Sequence, residues 1–84
     1  MRLVVRGAAE ADIPEVSCWY EARSPGLSYE FPHTVDVALA EITCMPERYP
    51  LARDTVRRAL LRRFPYAVFF VAAPDLLSVL ACMH

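Results

Sequence analysis

Residues 55–83 read TVRRALLRRFPYAVFFVAAPDLLSVLACM, and most of the predicted sheet lies in this segment. Its β-branched, aromatic and leucine residues fall into three runs, which are interrupted by turn residues at Pro65 and Pro74. The runs cover residues 55–62, 66–71 and 76–83. Runs of this length and composition between turn signals are typical of strands. They predict an antiparallel three-stranded meander.

The first of two helical patterns lies ahead of this meander. Apolar residues recur at helical spacing between Ile13 and Tyr20. Asp12 is placed as an N-cap, and Pro14 falls in the first turn, where its missing N–H costs nothing. The pattern predicts a helix that ends near Arg23.

A second helix is predicted after a break in the chain, with Ser24 as its N-cap and Pro25 in the first helical position. Pro32 lies inside the apolar stripe of this helix and removes a hydrogen bond to the Ser28 carbonyl, which predicts a kink or a split at that turn. The pattern ends before Pro46. The stripe consists of Leu27, Phe31, Val35, Ala38, Ile42 and Met45.

A short β-branched run at residues 2–6 ends at Gly7 and is predicted to be the first strand. The order β-α-α-β-β-β follows. Helices that precede a meander predict an α+β fold, in which a two-helix hairpin packs on one face of an antiparallel sheet. With 84 residues, of which 56% are hydrophobic, the chain is expected to form one domain, residues 1–84.

The composition excludes several classes of protein. The longest apolar stretch, residues 64–73, contains Pro65 and is shorter than the roughly 20 residues that span a bilayer. Arg6 and Arg2 interrupt the N-terminal apolar run, so a cytoplasmic protein is expected, with no membrane association. The three cysteines are an odd number without a CxxC pair, and we expect free core thiols rather than disulfides or a metal site. No cofactor is expected.

Charge is unevenly distributed along the chain. Residues 10–47 contain eight acidic residues and Arg23 as the only base, whereas residues 48–63 contain six arginines and Asp54 as the only acid. A compact basic segment of this kind favours an anionic partner. The alternative is that the arginines pair internally with the acidic helices.

Several short motifs, taken in their order along the chain, resemble the RelE/ParE superfamily, the toxins of bacterial type II toxin–antitoxin pairs. The most specific are PERYP at residues 46–50 and RRFPYAV at residues 62–68. The others lie at residues 8–12, 19–21, 24–27, 56–58 and 79–81, followed by His84. The resemblance covers nearly the whole chain, and it implies the same β-α-α-β-β-β order.

The two branches of this superfamily differ in chemistry. In the mRNA-cleaving branch, an arginine follows the aromatic residue that opens the middle meander strand, and Ala67 stands at that position here. The sequence looks closer to the ParE branch, which poisons DNA gyrase without a hydrolytic site of its own. The resemblance also implies neutralisation by a cognate antitoxin with a tail that folds across the toxin. Four arginines are expected to contact that tail, namely Arg57, Arg58, Arg62 and Arg63.

Two alternatives remain open at this point. One is a RelE-like ribosome-dependent endoribonuclease acting on mRNA, with His84 as general acid or base and Arg58 or Arg63 at the phosphate. The other is a shortened, non-toxic remnant that only binds antitoxin, since similar toxins continue past their final histidine with a basic stretch. A homodimer or a hetero-oligomer with the antitoxin would fit the resemblance.

Overall fold

The computed structural model describes residues 2–24 and 26–84, and it has the expected α+β architecture. Two helices pack against a five-stranded sheet. The helices are α1 (Gly7–Arg23) and α2 (Leu27–Cys44), followed by a 3-10 turn, Pro46–Arg48. The strands are β1 (Arg2–Val5), β2 (Leu51–Arg53), β3 (Val56–Leu60), β4 (Ala67–Ala72) and β5 (Leu76–Met83).

The sheet has the strand order β1-β5-β4-β3-β2. The three strands β3, β4 and β5 form the predicted antiparallel meander. Two features differ from the sequence prediction. The sheet is mixed, because β1 pairs with β5 in parallel, and the short edge strand β2 adds a fifth member. Parallel pairing requires a long connection between the two strands, and the chain between β1 and β5 provides one.

Helix α1 begins six residues earlier than the sequence pattern predicts. Its N-cap is Arg6, so the assignment of Asp12 as N-cap is wrong, and Pro14 lies inside the helix. Pro14 removes the hydrogen bond that an N–H at this position would give to the Glu10 carbonyl, and the helix nevertheless continues through it. The Asp12 carboxylate instead accepts a hydrogen bond from the backbone N–H of Cys82, with Oδ2 and N 3.2 Å apart.

The start of α2 also differs from the prediction. Gly26 rather than Ser24 flanks the first turn, and its φ of 97° is a left-handed conformation that favours glycine. Its N–H donates to the Glu21 carboxylate at 2.9 Å. The predicted place of Pro25 lies outside the described residues. The helix runs unbroken through Pro32, so the expected split is wrong.

The core lies between the two helices and one face of the sheet. Helix α2 contributes the predicted apolar stripe, of which Phe31 and Ile42 are fully buried. Met45 was predicted to belong to this stripe, but it lies at the C-terminal end of α2 and is exposed. The Leu27 side chain lies outside the described residues. The sheet contributes Ala59, Val68, Phe70, Leu77, Val79 and Cys82.

An irregularity in β5 decides which of its side chains enter this core. Phe69 pairs with Ala81 and Phe70 pairs with Val79, so that Leu80 is an extra residue between two paired positions. Strict alternation would place Val79 and Cys82 on opposite faces. Because the bulge shifts the alternation by one residue, both side chains are buried in the same core cluster.

Helix α2 offers a matched pair of aromatic residues that tests this arrangement. Phe31 is fully buried, whereas Tyr29 is 82% exposed. Phe31→Ala is expected to lower the free energy of unfolding by about 3–5 kcal/mol, because it leaves a cavity in the core. Tyr29→Ala should change it by less than about 0.5 kcal/mol. Urea denaturation of both variants provides the measurement, and similar losses would contradict the core assigned to α2.

Candidate functional site

The four arginines expected to bind a partner occupy three different environments. Arg57 lies on β3 and is half-buried. Its Nη1 donates a hydrogen bond to the Tyr49 carbonyl at 2.6 Å. This bond ties β3 to the loop that precedes β2, so Arg57 has an evident role in holding the fold.

Arg62 and Arg63 lie between β3 and β4, and both reach across to α2. The Arg62 guanidinium is 3.3 Å from a Glu41 carboxylate oxygen, and the Arg63 guanidinium is 3.2 Å from one of Glu30. These two ion pairs agree with the alternative interpretation of the charge distribution, in which arginines pair internally with the acidic helices. All four side chains are substantially exposed, at 80% and 60% for the two arginines. Exposed pairs of this kind contribute little stability, so both guanidinium groups remain accessible to another carboxylate.

Arg58 differs from the other three arginines. It is exposed, and its side chain makes no hydrogen bond or ion pair with the described residues. In the register of the sheet it lies beside Phe69 of β4. Side chains alternate along a strand, and its neighbour Ala59 is buried under the helices. Arg58 therefore lies on the sheet face that the helices do not cover.

His84 follows the end of β5 and contacts an aromatic cluster. Its ring is edge-on to that of Tyr66, with the centroids 5.4 Å apart. Tyr66 in turn packs on Phe31 and Tyr20. Burial raises the pKa of the Tyr20 hydroxyl, and the proximity of Tyr66 adds to this rise. His84 is thus anchored by its ring against Tyr66.

Arg63 contacts the same aromatic cluster through a different ring. Its guanidinium carbon is 5.9 Å from the ring centroid of Phe64, which packs against Phe31 and Tyr20. Two of the three residues considered for a nuclease, Arg63 and His84, are therefore attached to one cluster. The third, Arg58, lies on β3 beside Phe69.

Ala67 is the residue that the resemblance aligns with the arginine of the nuclease branch. It is the first residue of β4, it is buried, and it pairs with Leu60 on one side and Met83 on the other. An alanine here supplies no charge to stabilise a phosphate in a transition state.

A small cavity between α1 and the sheet is lined by residues that the sequence analysis did not group together. Its volume is about 200 Å³, and its lining includes Asp12, Glu15 and Trp19 of α1 together with Tyr66 and Cys82. The spacing of the three α1 residues places them on one side of the helix, which is a signal that the sequence does contain. Their proximity to Tyr66 and Cys82 depends on tertiary packing.

Trp19 is 47% exposed, and the guanidinium group of Arg23 lies against its ring. The guanidinium carbon of Arg23 lies 3.7 Å from the ring centroid, at the next turn of α1. This cation–π contact covers part of an aromatic surface that would otherwise face water. It explains how α1 tolerates a large exposed aromatic residue.

Two negative findings apply to residues 2–24 and 26–84. They contain no group of three or more His, Cys, Asp or Glu side chains placed to hold a metal ion. Within the same residues, neither helix has the length and hydropathy required to cross a bilayer.

Comparison with solved structures gives a match over the whole chain. A chain of the chromosomal ParDE TA system from P. aeruginosa has a TM-score of 0.88 and 17% sequence identity, and the match covers 100% of this chain and 95% of that chain. No protein-family model matches the chain, and no curated protein matches it by sequence. The match establishes a shared fold. The fold expected from the resemblance to the RelE/ParE superfamily is thereby confirmed.

The cysteines are free, as expected, although only Cys82 is a core thiol and Cys18 and Cys44 are exposed. Burial, followed by the nearby Asp12 carboxylate, raises the pKa of Cys82 from 9.0 to about 11. Between these pH values the folded protein keeps the Cys82 proton while the unfolded chain loses it. The free energy of unfolding is therefore expected to fall as pH rises from 9.0 to about 11.

This expectation is tested with Cys82→Ala. The variant should lose less stability than the parent chain over that pH window, because it lacks the shifted thiol. Thiol labelling at pH 9 should modify Cys18 and Cys44 in the native state and Cys82 only after unfolding. Rapid labelling of native Cys82 would show that it is not enclosed.

Proposed function

We propose that this chain is the toxin of a type II toxin–antitoxin pair, of the ParE type, and that a cognate antitoxin neutralises it in the cytoplasm. The observation that carries the proposal is the fold match to a ParDE chain over the full length of this chain. The PERYP and RRFPYAV motifs support it independently, because they are read from the sequence alone.

The proposed target is DNA gyrase, and the proposed action needs no hydrolytic site. One feature supports this choice over mRNA cleavage. Ala67 is buried at the position where, by the resemblance, the nuclease branch carries a phosphate-binding arginine. Cleavage of a phosphodiester depends largely on electrostatic stabilisation, which this arrangement does not provide at Ala67.

The antitoxin is proposed to use the basic residues of the segment around β3. Arg58 is the leading candidate, since its side chain has no hydrogen-bond or ion-pair partner among the described residues. Arg62 and Arg63 can exchange their exposed pairs for carboxylates of the antitoxin at small cost. Arg57 would contribute indirectly, because it holds the loop at Tyr49.

One induction experiment tests the function. Expression of the chain alone in bacteria is expected to stop growth and to alter plasmid supercoiling, while mRNA stays intact. Unchanged growth would favour the non-toxic remnant instead. Codon-specific mRNA cleavage with unchanged supercoiling would overturn the ParE-type proposal in favour of the ribosome-dependent endoribonuclease.

His84→Ala separates the two toxin chemistries further. If the chain acts without hydrolysis, this variant should remain as toxic as the parent. The matched control is His33→Ala, which removes an exposed imidazole from α2. A general acid or base contributes about 10²–10⁴-fold to a rate, so a nuclease that used His84 would lose most of its toxicity on this substitution. Loss in His84→Ala but not in His33→Ala would therefore argue for catalysis.

A further inference from the structure

We propose that the cavity between α1 and the sheet binds a guanidinium group, carried either by a small molecule or by the arginine side chain of a peptide. The inference does not rest on the proposed toxin function. The volume of the cavity, about 200 Å³, is below the roughly 300–1,000 Å³ of pockets that enclose a drug-sized ligand, so it suits a small head group. This guanidinium site is lined by Asp12, Glu15, Val16, Trp19, Tyr66 and Cys82.

Two carboxylates supply the negative charge of the guanidinium site. Asp12 and Glu15 are three residues apart on α1, which places their Cβ atoms about 5–6 Å from each other. One Asp12 oxygen accepts the Cys82 N–H at 3.2 Å, whereas the Glu15 carboxylate has no hydrogen-bond or ion-pair partner among the described residues. A guanidinium group has five N–H donors in one plane and can therefore donate to both carboxylates at once.

Asp12 is a half-buried acid without a cationic partner. None of the residues that line the site is Arg or His, and Asp12 forms no ion pair within the described part of the chain. Acidic groups that are withdrawn from water are normally paired. The Asp12 charge also acts on its surroundings, because it adds to the effect of burial in raising the pKa of the Cys82 thiol to about 11. A cation in the site would supply the missing partner.

The aromatic rings of the site favour guanidinium over ammonium. Trp19 and Tyr66 line the same cavity as the two carboxylates. The chain itself shows that Trp19 accepts a guanidinium group, since the Arg23 guanidinium carbon lies 3.7 Å from its ring centroid. Arg23 covers one face of the indole and leaves the opposite face available. A guanidinium group is planar and weakly hydrated, so it can stack on a ring while it donates to carboxylates in its plane, whereas an ammonium group is compact and strongly hydrated.

The test uses the fluorescence of Trp19, the only tryptophan of the chain, as a direct report on the site. The full chain is titrated at constant ionic strength with three matched probes, butylguanidinium, butylammonium and the neutral butylurea. Butylguanidinium should give a saturable change with a dissociation constant of about 1 mM, an affinity that suits a fragment of this size. Butylammonium should bind about tenfold more weakly, and butylurea should produce no saturable change.

Charge-removing variants locate the binding. Asp12→Asn keeps an oxygen that can accept the Cys82 N–H, and it should weaken butylguanidinium binding by about tenfold. Glu15→Gln should weaken it by about threefold, since Glu15 is exposed to water. The matched control is Glu10→Gln, because Glu10 is exposed on α1 but does not line the site, and this variant should bind as the parent does. Circular dichroism verifies folding, and the exposed position of Glu15 keeps the test valid even if Asp12→Asn unfolds.

A peptide arm identifies the source of the guanidinium group. If acetyl-Gly-Arg-Gly-amide binds at least as tightly as butylguanidinium, the site takes an arginine side chain, whereas binding of butylguanidinium alone assigns the site to a small molecule. The proposal is overturned if butylguanidinium does not bind, if butylammonium or butylurea binds equally well, or if Glu15→Gln and Glu10→Gln bind alike. The growth experiment is independent of this test, so toxicity can fail while guanidinium binding holds, and the reverse.

Discussion

The structure depends on the position of β5 inside the sheet. This last strand pairs with β4 on one side and with the first strand, β1, on the other. Helix α1 is also bonded to this strand. The Cys82 N–H donates a hydrogen bond to the Asp12 carboxylate, which lies 70 residues earlier in the sequence. The sheet and its helix layer can be completed only when the last strand is in place. Contacts this distant in sequence impose a large loop-closure cost, which the buried side chains Leu77 and Val79 help to offset.

The two layers of the molecule carry opposite charges. The acidic residues belong to the helices, the 3-10 turn and two turns of the sheet, whereas the strands contain arginine as their only charged residue. Arg62 and Arg63 join the layers by pairing with Glu41 and Glu30 of α2. Arg58 points to the other side and has no such partner among the described residues. The same separation of charge thus supports internal pairing with α2 and leaves Arg58 exposed on the opposite face of the sheet.

The contacts at the end of the sheet bear on the chemistry of the molecule. His84, Tyr66 and Phe64 are held in an aromatic cluster, and Arg63 is attached to the same cluster. Residue types that could serve a nuclease are therefore used here in packing and ion pairing. At the adjacent position, Ala67 contributes an apolar contact and no charge.

Periodicity and turn residues act locally, so the three meander strands, the two helices and the α+β class could be predicted from the sequence alone. It also indicated the free thiols and the basic segment. Three features became visible only in the folded chain: the pairing of β1 with β5, the start of α1 ahead of Pro14 and the bulge at Leu80. These features depend on contacts between residues far apart in the chain, which outweigh local capping and alternation signals. For the same reason, sequence grouped Arg57 with Arg58, whereas the pleat of β3 places them on opposite faces.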